Sequence, residues 1–345
     1  MNWKKLGTLT AVLLILVAAV LIGQRISKTE SAGNEGTLFW PGFNKDECIQ
    51  ITIKKGDTGV TLKKAMDGWL VSGDLQTSKE SPGFKPADAD TSDTDGSAGS
   101  FPADSAKVIS ALEIFEDMKR DIFISKNPEK HGVFEIDSNS VTATFLTGDK
   151  EHSFTIGKRG SSYNSNFISV TGSERVYDVQ GGIKTALSPE VSKWQDKSIT
   201  DFKKNHIERV TLNSKDSGEI IMEKTTDTSS GVSWKISGDA EGSGIKKEVN
   251  KLLGKLASFK ATGFETEYSL DSPETGIQDP GITVDIELST GETKGIIIGN
   301  KKEDSSRYWA AVPEGEYLYL VSEGKVKDIN ISPSSLIKKE GLAAK

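Results

Sequence analysis

The sequence predicts an α+β fold: an N-terminal transmembrane helix followed by two tandem, duplicated α+β modules with mainly antiparallel sheets. Three observations carry this. Residues Leu6–Ile22, LGTLTAVLLILVAAVLI, hold no charge. Short alternating or β-branched runs, separated by turn residues, recur along the rest of the chain and read as strands. The runs also come in the same order twice, which is the mark of an internal duplication.

The uncharged stretch comes first. At about 1.5 Å per residue its 17 residues span roughly 26 Å, against a hydrocarbon core of about 30 Å. Trp3 and the stems of Lys4, Lys5 and Arg25 reach the interfaces and cover the shortfall. Lys4 and Lys5 before the helix favour a cytoplasmic N-terminus and an extracytoplasmic bulk, with Arg25 and Lys28 acting against that bias. A cleaved signal peptide is the rival reading. Its apolar core is shorter and ends at a small-residue site, whereas Val17-Ala18-Ala19 is followed by Val20-Leu21-Ile22. The expected organisation is an anchor over 1–28, a juxtamembrane linker over 29–46, a first repeat over 47–200 and a second over 201–345. The expected location is the cell membrane, single-pass, with the bilayer contacted through Leu6–Ile22.

Each repeat opens with a three-strand meander. In the first, Ile49–Ile53, Val60–Leu62 and Gly68–Gly73 form it; in the second, Ile207–Leu212, Ile220–Met222 and Ser233–Gly238. A helix follows. Ser105–Lys119 places Val108, Ile109, Leu112, Phe115 and Met118 on one face, with Asp104 or Ser105 as cap; Gly244–Phe259 does the same with Ile245, Val249, Leu252, Leu253 and Leu256. A loop signature comes next, His131-Gly132-Val133 and Thr275-Gly276-Ile277, and then four strands. Gly157 and Gly299, Phe167 and Trp309, Tyr177 and Tyr319, and Val179 and Val321 are each 142 residues apart. The expected unit is a meander, a helix and a four-stranded sheet. The first copy is longer by an insertion over 74–104, whose seven acidic residues face Lys79 and Lys85. It has no apolar periodicity and reads as a disordered surface segment.

Composition narrows the function. The formal net charge is −7, and with no basic stripe a nucleic-acid partner is excluded. Hydrophobic residues make up 35%, enough for two cores. Cys48 is the only cysteine, so no internal disulfide contributes, and its place before a strand makes it a small core residue. Asp88, Asp90, Asp93 and Asp95-Gly96 invite a calcium loop. With Gly96 at position six, Thr91 falls at position one and Pro102 at twelve, so the pattern fails at both ends. His131, His152 and His206 share no metal-ligand spacing. Gly157-Lys158-Arg159-Gly160-Ser161-Ser162 follows a strand without opening a helix and reads as a turn. Trp69, Trp234, Trp309 and Phe167 recur at equivalent places and read as core anchors. No catalytic, cofactor-binding or metal-binding residue is assigned, and no cofactor.

The doubled order of elements resembles the DUF4340 family. The residues that carry the resemblance are Thr275-Gly276-Ile277-Gln278-Asp279-Pro280, Ile298-Gly299-Asn300, Tyr308-Trp309-Ala310 and Leu318-Tyr319-Leu320-Val321. Trp194-Gln195-Asp196-Lys197-Ser198-Ile199 is similar to the segment that links the family's two copies. The first copy departs from the pattern around Glu135-Ile136, where the turn has no Pro. The resemblance implies an N-terminal membrane helix and association with gliding-motility-type ABC transporter components, so the implied partner is an ABC-type permease complex. The resulting expectation is a non-enzymatic, membrane-anchored extracytoplasmic protein with a duplicated interaction module, accessory to an ABC-type transport or envelope complex. The alternative is an extracytoplasmic ligand-binding protein, holding a glycan or peptide in the groove between modules. An envelope hydrolase would need Ser161, Ser162, His152 and Asp149 to converge.

Overall fold

The computed structural model describes residues 36–73, 99–227, 231–238 and 241–337. The described residues divide into two units, 36–73 with 99–195, and 196–337. The expected helix over Leu6–Ile22 and the acidic run Asp88–Gly96 lie outside the described residues. Among the described residues no helix is long and apolar enough to cross a membrane.

In the first unit, β1 (Cys48–Lys55), β2 (Thr58–Ala65), β3 (Gly68–Gly73) and β4 (Phe101–Pro102) form the meander. Helix α1 (Ser105–Glu116) and β5 (Ile122–Ser125) follow. Then come β6 (Val141–Thr147), β7 (Lys150–Arg159), β8 (Ser165–Val170) and β9 (Val176–Gln180), with short helices α2 (Ile183–Ala186) and α3 (Val191–Trp194). The expected separate four-stranded sheet does not form. β6 pairs antiparallel with β1, so all nine strands join in the order β4-β3-β2-β1-β6-β7-β8-β9-β5. The physical reason is the second edge of β1, which would otherwise leave its N–H and C=O groups open.

Alternation along the strands sets the two faces. Val71, Leu62, Ile51, Phe145 and His152 lie in one inward row, and Ser72, Thr61, Thr52, Thr144 and Ser153 in the adjacent outward row. Helix α1 covers the inward face with Val108, Ala111, Leu112 and Phe115. Phe115 stacks on Phe145 at 3.9 Å between centroids and on Trp40 at 4.2 Å. Burying one such ring is worth roughly 1.5–3 kcal/mol. Asp104 caps the helix by accepting the Lys107 N–H. Ile109, expected on this face, is 46% exposed. It sits about 100° around the helix from Val108, outside the stripe that reaches the sheet.

The expected linker over 29–46 is, from residue 36 onward, part of this unit. Phe39 and Phe43 are buried, Leu38 bridges to Lys119, and the Arg120 guanidinium donates to the Leu38 and Phe39 carbonyls. The end of the expected insertion is ordered as well: Phe101–Pro102 pairs with β3 and Ala103 is buried.

The second unit repeats the plan with β10 (Ile207–Ser214), β11 (Gly218–Asp227), β12 (Gly231–Gly238), β13 (Gly242–Ser243), helix α4 (Lys246–Ala257), β14 (Gly263–Phe264), β15 (Ile282–Leu288), β16 (Thr293–Lys301), β17 (Arg307–Ala311), β18 (Tyr319–Ser322) and helix α5 (Glu323–Ile329). Its sheet order, β13-β12-β11-β10-β15-β16-β17-β18-β14, matches the first strand for strand. Val249, Leu252, Leu253 and Leu256 of α4 are buried, and Ile245 caps the helix half-buried. Asp196–Thr200, expected in the first repeat, belong here: the Ile199 and Thr200 amides both donate to the Phe259 carbonyl.

From β4 and β13 to the hairpins β6–β7 and β15–β16 the copies correspond at an offset of 141, and after those hairpins at 142. Val141 pairs with Ile156 and Ile282 with Ile298, so the second hairpin holds one residue more. This corrects the loop signature. Short 3-10 helices Pro128–Phe134 and Pro273–Thr275 precede β6 and β15, and each ends in a left-handed residue, Glu135 (φ 55°) and Gly276 (φ 67°). Gly276 therefore corresponds to Glu135, and Thr275-Gly276-Ile277 to Phe134-Glu135-Ile136, not to His131-Gly132-Val133. The Gly of the sequence signature is absent from the first copy, and spacing alone drew the comparison to the nearest one.

Candidate functional site

The most polar buried places outside the sheets' inward faces sit at one corner of each unit, where β7 turns into β8 and β16 into β17. Both strands run inward and outward by turns, so Trp309 points to the face opposite Ala310 and away from α4. There it joins a small cluster with Ile277, Ala311, Leu318 and Leu320. Its first-unit counterpart Phe167 packs on Phe134 at 4.9 Å.

In the second unit the corner is built on Glu265, whose side chain is 3% exposed. Its Oε2 accepts from Lys302 Nζ at 2.6 Å and from Trp309 Nε1 at 3.0 Å, and its Oε1 accepts the Thr266 and Glu267 amides at 3.0 Å each. Burial alone would push the carboxyl up. The Lys302, Glu267, Trp309 and Thr266 donors outweigh burial and hold it below its ordinary value of 4.5. Lys302 is likewise desolvated, yet its pairing with Glu265 raises it. The Lys302 ammonium lies 5.5 Å from the Tyr268 ring centroid, and Tyr268 meets Trp309 edge-on at 5.4 Å.

In the first unit the carboxylate comes from the neighbouring strand. Asp178 on β9, 1% exposed, accepts the Ser161 amide on Oδ2 at 2.7 Å. Burial pushes its pKa up, and the Ser161 donors together with the nearby Ser165 hydroxyl more than compensate, leaving it below the usual carboxylate value. Oδ1 has no hydrogen-bond partner among the described residues, and the Gly160 backbone closes against it: a Cβ there would sit 1.9 Å away. Both corners thus set a buried carboxylate beside a hairpin turn, and the Lys302 ammonium also reaches Glu267 Oε2 at 3.5 Å.

The residues a hydrolase would need do not converge. His152 lies in the inward row against Phe43, at 5.4 Å between centroids, and its pKa is lowered by burial first and then by Lys150. Ser161 lies beyond the far end of β7, roughly 23 Å of strand from His152 to Arg159 at about 3.3 Å per residue. Asp149 is in the turn beside His152, and the Ser162 hydroxyl donates to Gln180. His131 faces the Glu174 carbonyl, and His206 closes a 3-10 turn. Among the described residues no three of His, Cys, Asp and Glu gather as a metal site. Cys48 is fully buried, and burial raises its thiol pKa, which is the behaviour of a core residue. Gly157–Ser162 ends a strand and turns, without a helix following. Trp69 and Trp309 are buried and Trp234 is half-buried against its core, so these rings offer little face to a ligand.

Sequence reasoning missed the Glu265–Lys302 pair. Its partners are 37 residues apart, and no local spacing links them. The Trp309 equivalence was the one available signal.

A family model described as "Domain of unknown function (DUF4340)" matches residues 96–273, just over half of the 345. The chain belongs to the DUF4340 family. The DUF4340 match begins before β4 and ends at the 3-10 turn Pro273–Thr275, so it takes in part of each unit. No curated protein and no solved structure matches the chain.

Proposed function

We propose that this DUF4340 protein is a membrane-anchored, extracytoplasmic interaction protein without catalytic activity, accessory to an ABC-type transport or envelope complex. The anchor is Leu6–Ile22, and the Lys4–Lys5 pair before it favours a cytoplasmic N-terminus. The observation that carries the reading is the duplicated fold in which buried polar groups brace hairpins: Glu265 and Asp178 hold backbone amides and a lysine in place of a reactant. A tether would raise the effective concentration of the two units near a membrane partner. The test is crosslinking in intact membranes, followed by affinity recovery of the full chain from detergent extract. Reproducible recovery of a permease-type partner is expected. Recovery of the chain alone, or its presence in the soluble fraction without the Leu6–Ile22 peptide, would overturn the proposal.

A further inference from the structure

The duplicated helices α1 and α4 cover equivalent faces of equivalent sheets, yet their exposed residues differ in charge. Helix α1 carries Lys107 against Glu113 and Glu116. Helix α4 carries Lys246, Lys247, Lys251 and Lys255 against Glu248 alone. The fold needs polar residues on that side, but the first unit shows that it does not need cations. In a chain with a net charge of −7, this local excess is specific to the second unit.

The excess concentrates where α4 ends beside α5. A cavity of about 160 Å³ opens there, lined by Lys255, Ser258, Phe259, Lys260, Lys325 and Asp328. A water needs about 10–15 Å³ of such space, so the cavity has room for a tetrahedral oxyanion. Three lysines and one aspartate line it. Lys255 pairs with Asp328, while Lys260 makes no ion pair among the described residues. Lys325 is half-buried and donates to the Lys260 carbonyl, and with three donors on its ammonium two remain.

A lysine near a helix C-terminus ordinarily caps carbonyls. Here other groups do that work. Gly254 O takes the Ser258 hydroxyl, Leu256 O the Thr200 hydroxyl, Ala257 O the Phe202 amide, and Phe259 O the Ile199 and Thr200 amides. Only the Lys260 carbonyl falls to a lysine. Burial first, and Lys260 second, press the Lys325 pKa down, so the site as it stands disfavours its own charge. A bound anion would reverse that.

We infer that the cavity between α4 and α5 binds a phosphoryl oxyanion through Lys255, Lys260 and Lys325. The ligand is either a free phosphate species or the headgroup of an anionic phospholipid. The inference stands apart from the proposed partner, because it rests on the second unit alone.

Pulsed acetylation of lysines, read residue by residue by mass spectrometry at mildly alkaline pH, tests it on the full chain. The arms are detergent solution with chloride, the same with millimolar inorganic phosphate at matched ionic strength, and nanodiscs of phosphatidylglycerol or of phosphatidylcholine. Several-fold protection of Lys325 and Lys260 by phosphate supports a free ligand. Protection confined to phosphatidylglycerol discs supports a headgroup. In either case Lys325→Gln should abolish the protection of Lys260, and Lys325→Arg should retain it, with unchanged labelling of Lys224 and Lys302, which the second unit holds in ion pairs with Glu208 and Glu265, reporting an intact fold. Equal labelling in all arms, or protection that survives Lys325→Gln, would overturn the inference.

Discussion

Replacing Gly157 or Gly299 by Ala tests the duplication at its tightest point. Each glycine lies where a 3-10 turn presses a backbone carbonyl onto the strand. A Cβ on Gly157 would meet Phe134 O at 2.2 Å, and one on Gly299 would meet Thr275 O at 2.0 Å. Ordinary contact begins at 3.4 Å, so the turns must retreat by about 1.2 and 1.4 Å. A backbone carbonyl cannot rotate aside as a side chain does. Ile136 closes on Gly157 from a second direction, with Cδ1 2.9 Å from the same Cβ. Overpacking of this kind costs about 1–3 kcal/mol, and the rigid partner puts both sites near the upper end. For a unit of this size about 3 kcal/mol lowers Tm by roughly 6–12 °C. Gly132→Ala is the control: its Cβ would meet nothing within 4 Å. Thermal unfolding of the full chain, followed by tryptophan fluorescence, should show both strand variants destabilised and the control within about 0.5 kcal/mol of the parent. If Gly299→Ala unfolds with the parent, the equivalence of the two turns as stated here fails. If Gly132→Ala is as damaging as Gly157→Ala, the corrected register fails.

Glu135 occupies the left-handed cap that Gly276 fills in the second copy. Because a left-handed L-residue carries about 1–2 kcal/mol of strain, Glu135→Gly is expected to raise the urea midpoint by a gain of about 1 kcal/mol. Lys302→Met leaves the Glu265 carboxylate buried without its cation and should cost about 3–5 kcal/mol, while the double variant Glu265→Gln/Lys302→Met recovers much of it; a double-mutant cycle by urea unfolding measures the coupling. The same pair fixes a pH dependence. The folded pKa of Glu265 lies below its ordinary 4.5, so its contribution is fully present above that value and is lost as pH falls through the depressed folded value. Glu265→Gln should flatten that acid limb in a pH series of melts.

Much of the architecture was legible because short-range physics wrote it. Ile51, Thr52 and Ile53 alternate as their strand does, and Val108, Leu112 and Phe115 recur at helical spacing onto one sheet. The joining of meander and second hairpins into one sheet was not legible. It depends on β1 accepting β6, some 90 residues later, and nothing in either segment names the other. The aromatic segment Phe39-Trp40 looked like a linker because its partners Phe115 and Tyr177 lie far along the chain. At the corners the glycines showed in the sequence as a repeated Ile-Gly pair, whereas the carboxylates did not, since each copy draws its acid from a different strand.

That difference shows what the duplication holds fixed. Phe123 pairs with Tyr177 and Phe264 with Tyr319, so the next residues, Ile124 and Glu265, correspond; Phe167 pairs with Asp178 and Trp309 with Leu320, so Asp178 and Leu320 correspond. The carboxylate and the aliphatic residue have changed places between neighbouring strands, and each corner still holds one buried acid. Sequence identity at these positions is lost while the local electrostatic demand, neighbouring donors seeking one acceptor, is met in both. Positions bound by backbone geometry, such as Gly157 and Gly299, have no such second solution and remain the same. The outer side of α1 and α4 is under neither constraint, and there the copies part most, acidic in one and lysine-rich in the other. Where folding tolerates either charge, a consistent charge has to be explained by what lies outside the fold. That places the search for a ligand at the helix pair of the second unit, not at the buried corners.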